Sequence, residues 1–413
     1  MDDTERFTSG ENQGSHGRGC STQVEHICHS PITHPLPILI INVLFQCSQC
    51  SWEAGTCAET LTEVCFPKVS VFHPHYLSPH SLSAYSTSTL KPVLSIAEFA
   101  VKNRTSQGML WGPDGAAGDA GSLGVSVVLA NLTKKKGKKE KEPWAKAATA
   151  ELELLLTGTP RLEDGVGKGA ISHRPDLVSL WSDFVYMVPP FLAYYGAVTG
   201  NTTLMREAHH QISLYRAVLF SPNASVWTHI YSPASANYFN DTYIWSTGNG
   251  WAAAGMLRVL ATIKHSPYSH QLRSEQKDLV RWIEEIHHGM VKYLPPSGLF
   301  FNYLDQQVTT NISFPDASGT ALFAATVYRH ITLMDHQPHG YGKVVKAAEK
   351  ARKTIFAENG GVHFDEDGWL KPVVNPHSFQ MSGNMSDEGQ SFVFQLNHNY
   401  EKWKKWNRWN RWW

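Results

Sequence analysis

From Ser51 onward, apolar residues recur at i, i+3, i+4 and i+7 in stretches broken by Gly, Pro and Asn. The spacing predicts helices over 93–101, 123–132, 144–156, 177–195, 204–219, 250–263, 275–293, 318–333 and 341–356. Short punctuated connections separate them, among them Gly112-Pro113-Asp114-Gly115, Gly158-Thr159-Pro160, Gly200-Asn201 and Pro295-Pro296-Ser297-Gly298. Strand-like alternation is nearly absent, so the chain reads as all-α. About ten to twelve paired helices suit either a solenoid or a closed toroid of helical hairpins. A solenoid repeats at ~34–47 residues, and no such self-similarity is present. Long aromatic-bearing loops instead favour an (α/α)6 barrel whose open end forms a pocket. The expected organisation is an atypical segment over 1–50, a barrel over 51–400 and a Trp/Lys/Arg-rich tail over 401–413.

Charge and composition narrow the ligand class. The chain carries 36 basic and 36 acidic residues, which argues against a nucleic-acid binder, since that needs a basic face. Its 14 Trp, 15 Tyr, 18 Phe and 21 His suit a neutral polar ligand such as a sugar, whose apolar face stacks on rings. No stretch reaches the ~18–20 apolar residues of a membrane span; the nearest, 36–45, is about half that. All six cysteines fall within the first 65 residues, so the main fold is expected to use no disulfides. Cys47-x-x-Cys50 lacks the second pair that a zinc finger needs and reads as incidental. Asn-X-Ser/Thr occurs at Asn103, Asn131, Asn201, Asn223, Asn240, Asn311 and Asn384. Chance gives roughly three such acceptors, so the excess favours an extracellular glycoprotein over a cytosolic enzyme with accidental acceptors, although no clear secretion signal is present. Lys134 to Glu142 reads as a solvated charge run. Trp403, Trp406, Trp409, Trp412 and Trp413, interleaved with Lys and Arg, read either as an amphipathic surface helix or as a frayed end.

The densest chemical signal is Ser172-His173-Arg174-Pro175-Asp176 followed by Trp181-Ser182-Asp183 and Tyr186-Met187-Val188-Pro189-Pro190. On a helix Asp183 is flanked by Ser179, Leu180, Tyr186 and Met187. Three of these are large and mostly apolar, so its pKa is expected to rise, as a general acid requires. A hydrogen bond from Ser179 works the other way, and a helix cap or a partner for a buried Arg is the plainer role. Pro189-Pro190 is expected to kink or end that helix. Asp119 follows a glycine-rich run, as a second carboxylate or as an N-cap. Trp227-Thr228-His229 and Trp245-Ser246-Thr247-Gly248-Asn249-Gly250-Trp251 pair aromatics with polar groups, either to hold a sugar or as a turn leading into a core Trp. Asp316-Ala317-Ser318 and Asp387-Glu388 each open an apolar helix as caps, with Ser318 and Glu388 also candidates for the mouth.

At these residues the chain resembles the unsaturated rhamnogalacturonyl hydrolases, family 105 of the glycoside hydrolases, and particularly their fungal-type members. The matching runs are SWEAGT, GPDGAAGDAGSLGV, SHRPDLVSLWSDFVYMVPPFLAYYG, WSTGNGWAAAGMLRVLATI, DASGTALFAA and SDEGQSFVF, in the family's order across 51–400. The resemblance implies a six-hairpin barrel, a pectin-degrading extracellular setting, an oligosaccharide substrate and no metal or other cofactor. It also implies a reaction in which an acid protonates C4 of a Δ4,5-unsaturated uronic acid and water adds at C5. By resemblance Asp183 is the acid/base, Asp119 a second, orienting carboxylate, and His229 the pocket histidine. Trp245, Trp251, Asn249 and Ser318 are implied sugar contacts. Thr247 stands where many relatives carry an Arg, which leaves Arg174, His173 or the backbone over 249–251 to hold the uronate carboxylate. An unsaturated glucuronyl hydrolase and a non-catalytic carbohydrate-binding barrel are the competing readings.

Overall fold

A computed structural model describes residues 50–112, 116–133, 142–357 and 363–410. The atypical segment up to 49 and the charge run over 134–141 lie outside the described residues. Twelve helices frame the barrel: α1 (Ser51–Cys65), α2 (Lys91–Lys102), α3 (Ala117–Gly121), α4 (Gly124–Thr133), α5 (Glu142–Glu153), α6 (Phe184–Thr199), α7 (Thr202–Leu219), α8 (Ser246–Lys264), α9 (Arg273–Val291), α10 (Ala317–Met334), α11 (Gly342–Ile355) and α12 (Asp387–Asn410). Packing is closed into a ring: α1 meets α3–α4, which meets α6, then α8, α10 and α12, and α12 returns to α1. A buried hydrogen bond from Gln395 Nε2 to Thr60 Oγ1 (2.7 Å) ties the last two together. Outside the ring, α2, α5, α7, α9 and α11 each pack on an inner neighbour. This is the (α/α)6 architecture read from the helical period.

The sequence explains the two layers. Inner helices must be apolar or hydrogen-bonded all round, and in α8 every residue from Ser246 to Ile263 is buried. Outer helices bury one stripe only, as α11 does with Val344, Ala347, Ala348, Ala351 and Ile355. The α6–α7 hairpin turns on Gly200 at φ 76°, and Asn201 then caps α7 by accepting from Leu204 N–H at 3.0 Å.

Three expectations are corrected. Helix α6 starts at Phe184, whereas the apolar spacing placed its start near 177. Ser172 Oγ gathers the preceding loop by accepting from Ser179 N–H (3.0 Å) and donating to Leu177 O (2.7 Å), and Leu180–Trp181 forms a short strand, β1. The second correction is that Pro189 and Pro190 neither end nor break α6, which runs on to Thr199. Pro189 leaves the Val185 carbonyl without its i+4 donor. That oxygen faces Gly255 of α8 so closely that a methyl there would sit 2.0 Å away. The glycine lets the two inner helices close over the gap the proline makes. Lastly, Cys65 at the end of α1 is disulfide-bonded.

Small β elements decorate the mouth. β1 pairs antiparallel with β4 (Ile230–Tyr231), and β2 (Phe220–Ser221) pairs with β3 (Val226–Trp227). A hairpin of β5 (Val373–Asn375) and β6 (Ser378–Gly383) precedes α12. α12 itself runs through 401–410, so Trp403 is buried and Trp406 packs on the core and donates to Asp335 Oδ1 (2.8 Å). Trp409 is exposed. No helix among the described residues is long and apolar enough to cross a membrane.

Candidate active site

The N-terminal end of α6, the α3 turn and the β3–β4 loop bring Asp183, Asp119 and His229 to one place. Asp183 occupies the position before α6, yet its side chain does not cap the helix. Instead Oδ2 accepts from Ser182 Oγ at 3.2 Å and faces His229 Nε2 at 3.6 Å. At that length the contact is an ion pair with room to tighten rather than a formed hydrogen bond. Nδ1 on the other edge of His229 meets Asp241 Oδ2 at 2.9 Å, and Tyr303 donates to the same oxygen at 2.6 Å. The result is a carboxylate–imidazole–carboxylate line on a fully buried ring.

Its electrostatics differ from the expectation. Burial pushes the Asp183 pKa up, but the hydrogen and positive charge of His229, with His173 behind, outweigh it and hold it below the usual carboxylate value. Burial likewise disfavours a charged His229, and Asp183 and Asp241 together overcome that and raise its pKa. Both shifts favour the same arrangement, a carboxylate beside a protonated imidazole. The expected raised pKa of Asp183 is corrected: the apolar helix neighbours counted from the sequence do not all lie on a helix, and a buried cation faces the group instead. Ser179, expected to temper Asp183, is engaged elsewhere, with Trp181 Nε1 (2.8 Å) and Ser232 Oγ (2.9 Å).

Asp119 sits within α3, where Ala116 holds the cap position, and Asp119 Oδ1 meets His173 Nε2 at 3.2 Å. A methyl on Gly118 would lie 2.4 Å from His173 Nδ1, so this glycine is what allows the approach. The His173 ring stacks on Trp181 (5.2 Å, 20°), and Trp181 meets His229 edge-on at 5.6 Å. Trp245 lies 4.4 Å from His229. Phe379, carried by β6, closes over the group, 4.6 Å from His229 and 5.8 Å from Trp181. Asn302 links these walls: its Oδ1 accepts from Trp245 Nε1 (2.8 Å) and its Nδ2 donates to Phe379 O (2.8 Å).

Other sequence candidates lie nearby but do other work. Asn249 spends its amide on backbone, accepting from Trp227 N–H (2.8 Å) and donating to Trp227 O (2.9 Å) and Trp245 O (3.0 Å). Trp251 is packed between Tyr186 (4.3 Å) and Phe392 (4.7 Å) in the core. Ser318 is fully buried and donates to Asp316 Oδ1 at 2.5 Å. Thr247, in the position of the missing Arg, donates to Asp316 Oδ2 at 2.9 Å. Arg174, next to His173, keeps a buried Nε with no hydrogen-bond partner among the described residues. Asp241, Tyr303, Asn302 and Phe379 were not singled out in the sequence. The one local signal was Asp241, an acid twelve positions beyond His229 in an aromatic-rich loop.

Known proteins resemble this chain in sequence pattern and in fold. The sequence model of Glycosyl Hydrolase Family 88 matches residues 102–376. Unsaturated rhamnogalacturonyl hydrolase YesR of Bacillus subtilis (strain 168) is 24% identical over 169 residues, which is 39% of this chain and 46% of that protein. The matched stretch thus spans about half the length of that relative. Among solved structures, a possible member of the GH105 family from Salmonella enterica superposes with a TM-score of 0.63 at 17% identity, covering 91% of this chain and 98% of the other. Another from Klebsiella pneumoniae gives 0.64 at 16% identity, covering 92% and 98%. At such identities these two speak for the fold alone.

Proposed function

This chain belongs to Glycosyl Hydrolase Family 88, and on that premise we propose that it removes the terminal Δ4,5-unsaturated uronic acid from oligosaccharides left by pectin (rhamnogalacturonan) lyases. The observation that carries the reading is the Asp183–His229–Asp241 line at the barrel mouth, with Asp119 beside it and three aromatic walls around it.

The resting charges set the order of proton movements. The substrate's carboxylate is attached one carbon from C4, so bringing C4 to Asp183 also brings a negative charge there. That charge raises the Asp183 pKa, and His229 hands its Nε2 proton across the tightened contact. Asp183 then protonates C4, and the ring oxygen stabilises the cation at C5. Water adds at C5 and gives its proton to the regenerated Asp183 carboxylate, which returns it to His229. The resulting hemiketal opens and the glycosidic bond breaks, leaving the enzyme as it began. One proton carrier suffices, so the carboxylate separations that separate retaining from inverting displacement do not govern this site. Asp241 orients the ring through Nδ1 and favours its charged form, and once Nε2 has given up its proton it keeps the remaining one on Nδ1. Asp119, anchored by His173, orients the sugar. Arg174 supplies the cation for the uronate that Thr247 does not, through its buried unpartnered Nε.

An extracellular setting belongs to the same proposal. Six of the seven glycosylation acceptors are exposed, Asn131 alone being half-buried. A mass shift on deglycosylation of protein secreted from a eukaryotic host checks this. For the activity, purified protein is assayed against lyase-generated rhamnogalacturonan and glucuronyl disaccharides, following loss of the enol-ether ultraviolet absorbance. Turnover of the rhamnogalacturonan product in preference to glucuronyl substrates is expected. A folded protein that consumes none of them sinks the reading, and preference for a glucuronyl substrate redirects it.

A further inference from the structure

Outside this site, one group of side chains combines three different metal-binding chemistries. Cys50, Glu53 and His377 each offer a donor atom, and the three atoms all lie within 4.8 Å of one another. Cys50 stands at the N-cap of α1 and Glu53 in its first turn, and the Cys50 N–H donates to Glu53 Oε2 at 3.1 Å and fixes that carboxylate. His377 comes from the turn of the β5–β6 hairpin, more than 300 positions away in sequence, and approaches from the other side. Its Nε2 stands 3.7 Å from Glu53 Oε1 and its Nδ1 4.0 Å from Cys50 Sγ. The edge of the Trp52 ring supports the imidazole at 5.7 Å.

We propose that Cys50, Glu53 and His377 bind a Zn2+ ion that fastens the β5–β6 hairpin to α1. A thiolate, an imidazole and a carboxylate form a mixed set suited to zinc, with the fourth position left to water. Tetrahedral zinc holds its donors about 3.4–3.7 Å apart, whereas one donor atom from each residue lies within 4.8 Å of the others, so one imidazole nitrogen has to move inward. His377 can make this movement, because its side chain is 56% exposed and can turn one nitrogen toward the ion.

The hairpin that supplies His377 also carries Phe379 over His229, so the ion would hold one wall of the mouth in place.

The test uses the full chain, stripped with chelator and titrated with Zn2+ alone in a calorimeter. One saturable site per chain is expected, weakened tenfold or more in His377→Ala and in Cys50→Ser. Co2+ in place of Zn2+ should give a thiolate charge-transfer absorption that Cys50→Ser abolishes. Amides over 373–383 should exchange more slowly with Zn2+ than without. His377→Ala alters an exposed turn, so its helical circular dichroism should match the parent and keep the comparison valid. Absence of a saturable site, or equal affinity in both variants, overturns the proposal, and so does hairpin exchange that is indifferent to Zn2+. None of these readouts involves substrate, so their failure is separable from failure of the proposed activity.

Discussion

Two buried clusters in this barrel share one plan, a cation between two carboxylates, and behave in opposite ways. At the mouth, His229 lies between Asp183 and Asp241. Deeper, Arg258 of α8 lies between Glu59 and Glu63 of α1, at 2.9 and 2.6 Å, and its guanidinium covers the Tyr186 ring at 4.3 Å. Arg329 adds a longer contact to Glu63 at 3.5 Å. Burial lifts the Glu59 carboxyl to about 7, although Arg258 pulls it down, and the nearby Glu63 charge lifts it further. Asp183 moves the other way because two imidazoles face it. Arginine never releases its proton under these conditions, so the inner cluster ties α1 to α8, and through Arg329 to α10, around cations that keep their charge. Histidine titrates near neutrality, so the same arrangement at the mouth holds a proton that can leave.

Asp183→Asn breaks the contrast most sharply. It removes the proton carrier while keeping the shape, and kcat/KM should fall ~10³-fold or more, with thermal unfolding little changed. Unaltered turnover of unsaturated disaccharide would overturn the assignment. Arg258→Met should do the converse. It leaves Glu59 without its cation and Glu63 with only the longer Arg329 contact, which costs about 3–5 kcal/mol in urea unfolding, while the remaining folded fraction keeps its activity. Asp241→Asn separates positioning from chemistry. Losing a carboxylate that favours the imidazolium lowers the His229 pKa, so the alkaline limb of the kcat/KM profile should move to lower pH, with a ~10–100-fold loss at the optimum. A profile that merely scales down would make Asp241 structural. The smallest effect concerns Glu59. Its folded pKa is raised, so its contribution is complete below about 4.5 and lost as pH rises through about 7. Glu59→Gln should flatten the dependence of Tm on pH across that window.

Much of this was legible because the helical period is local. Predicted spans such as 204–219 and 318–333 lie within two residues of α7 and α10. The failure at 177–183 is instructive: the apolar spacing continues, but Ser172 Oγ offers the backbone better partners than a helix would. Asp183, Asp119 and His229, which the structure brings together, could be singled out because each stands in a dense local run. Asp241, Tyr303 and Phe379 reach the same point from three separate segments, two loops and strand β6, and a single sequence carries no mark of that convergence. Trp251 and Ser318 were misplaced for a related reason. Both sit in site-like runs, but the second helical turn after Trp245 and the first after Asp316 point into the core.

Asn302 ends up with a disproportionate share of the geometry. Because one amide grips both Trp245 and the strand bearing Phe379, the two ring walls cannot drift independently. The rings lie 6.2 Å apart and tilted by 54°, so a displacement of one is passed to the other through this single side chain.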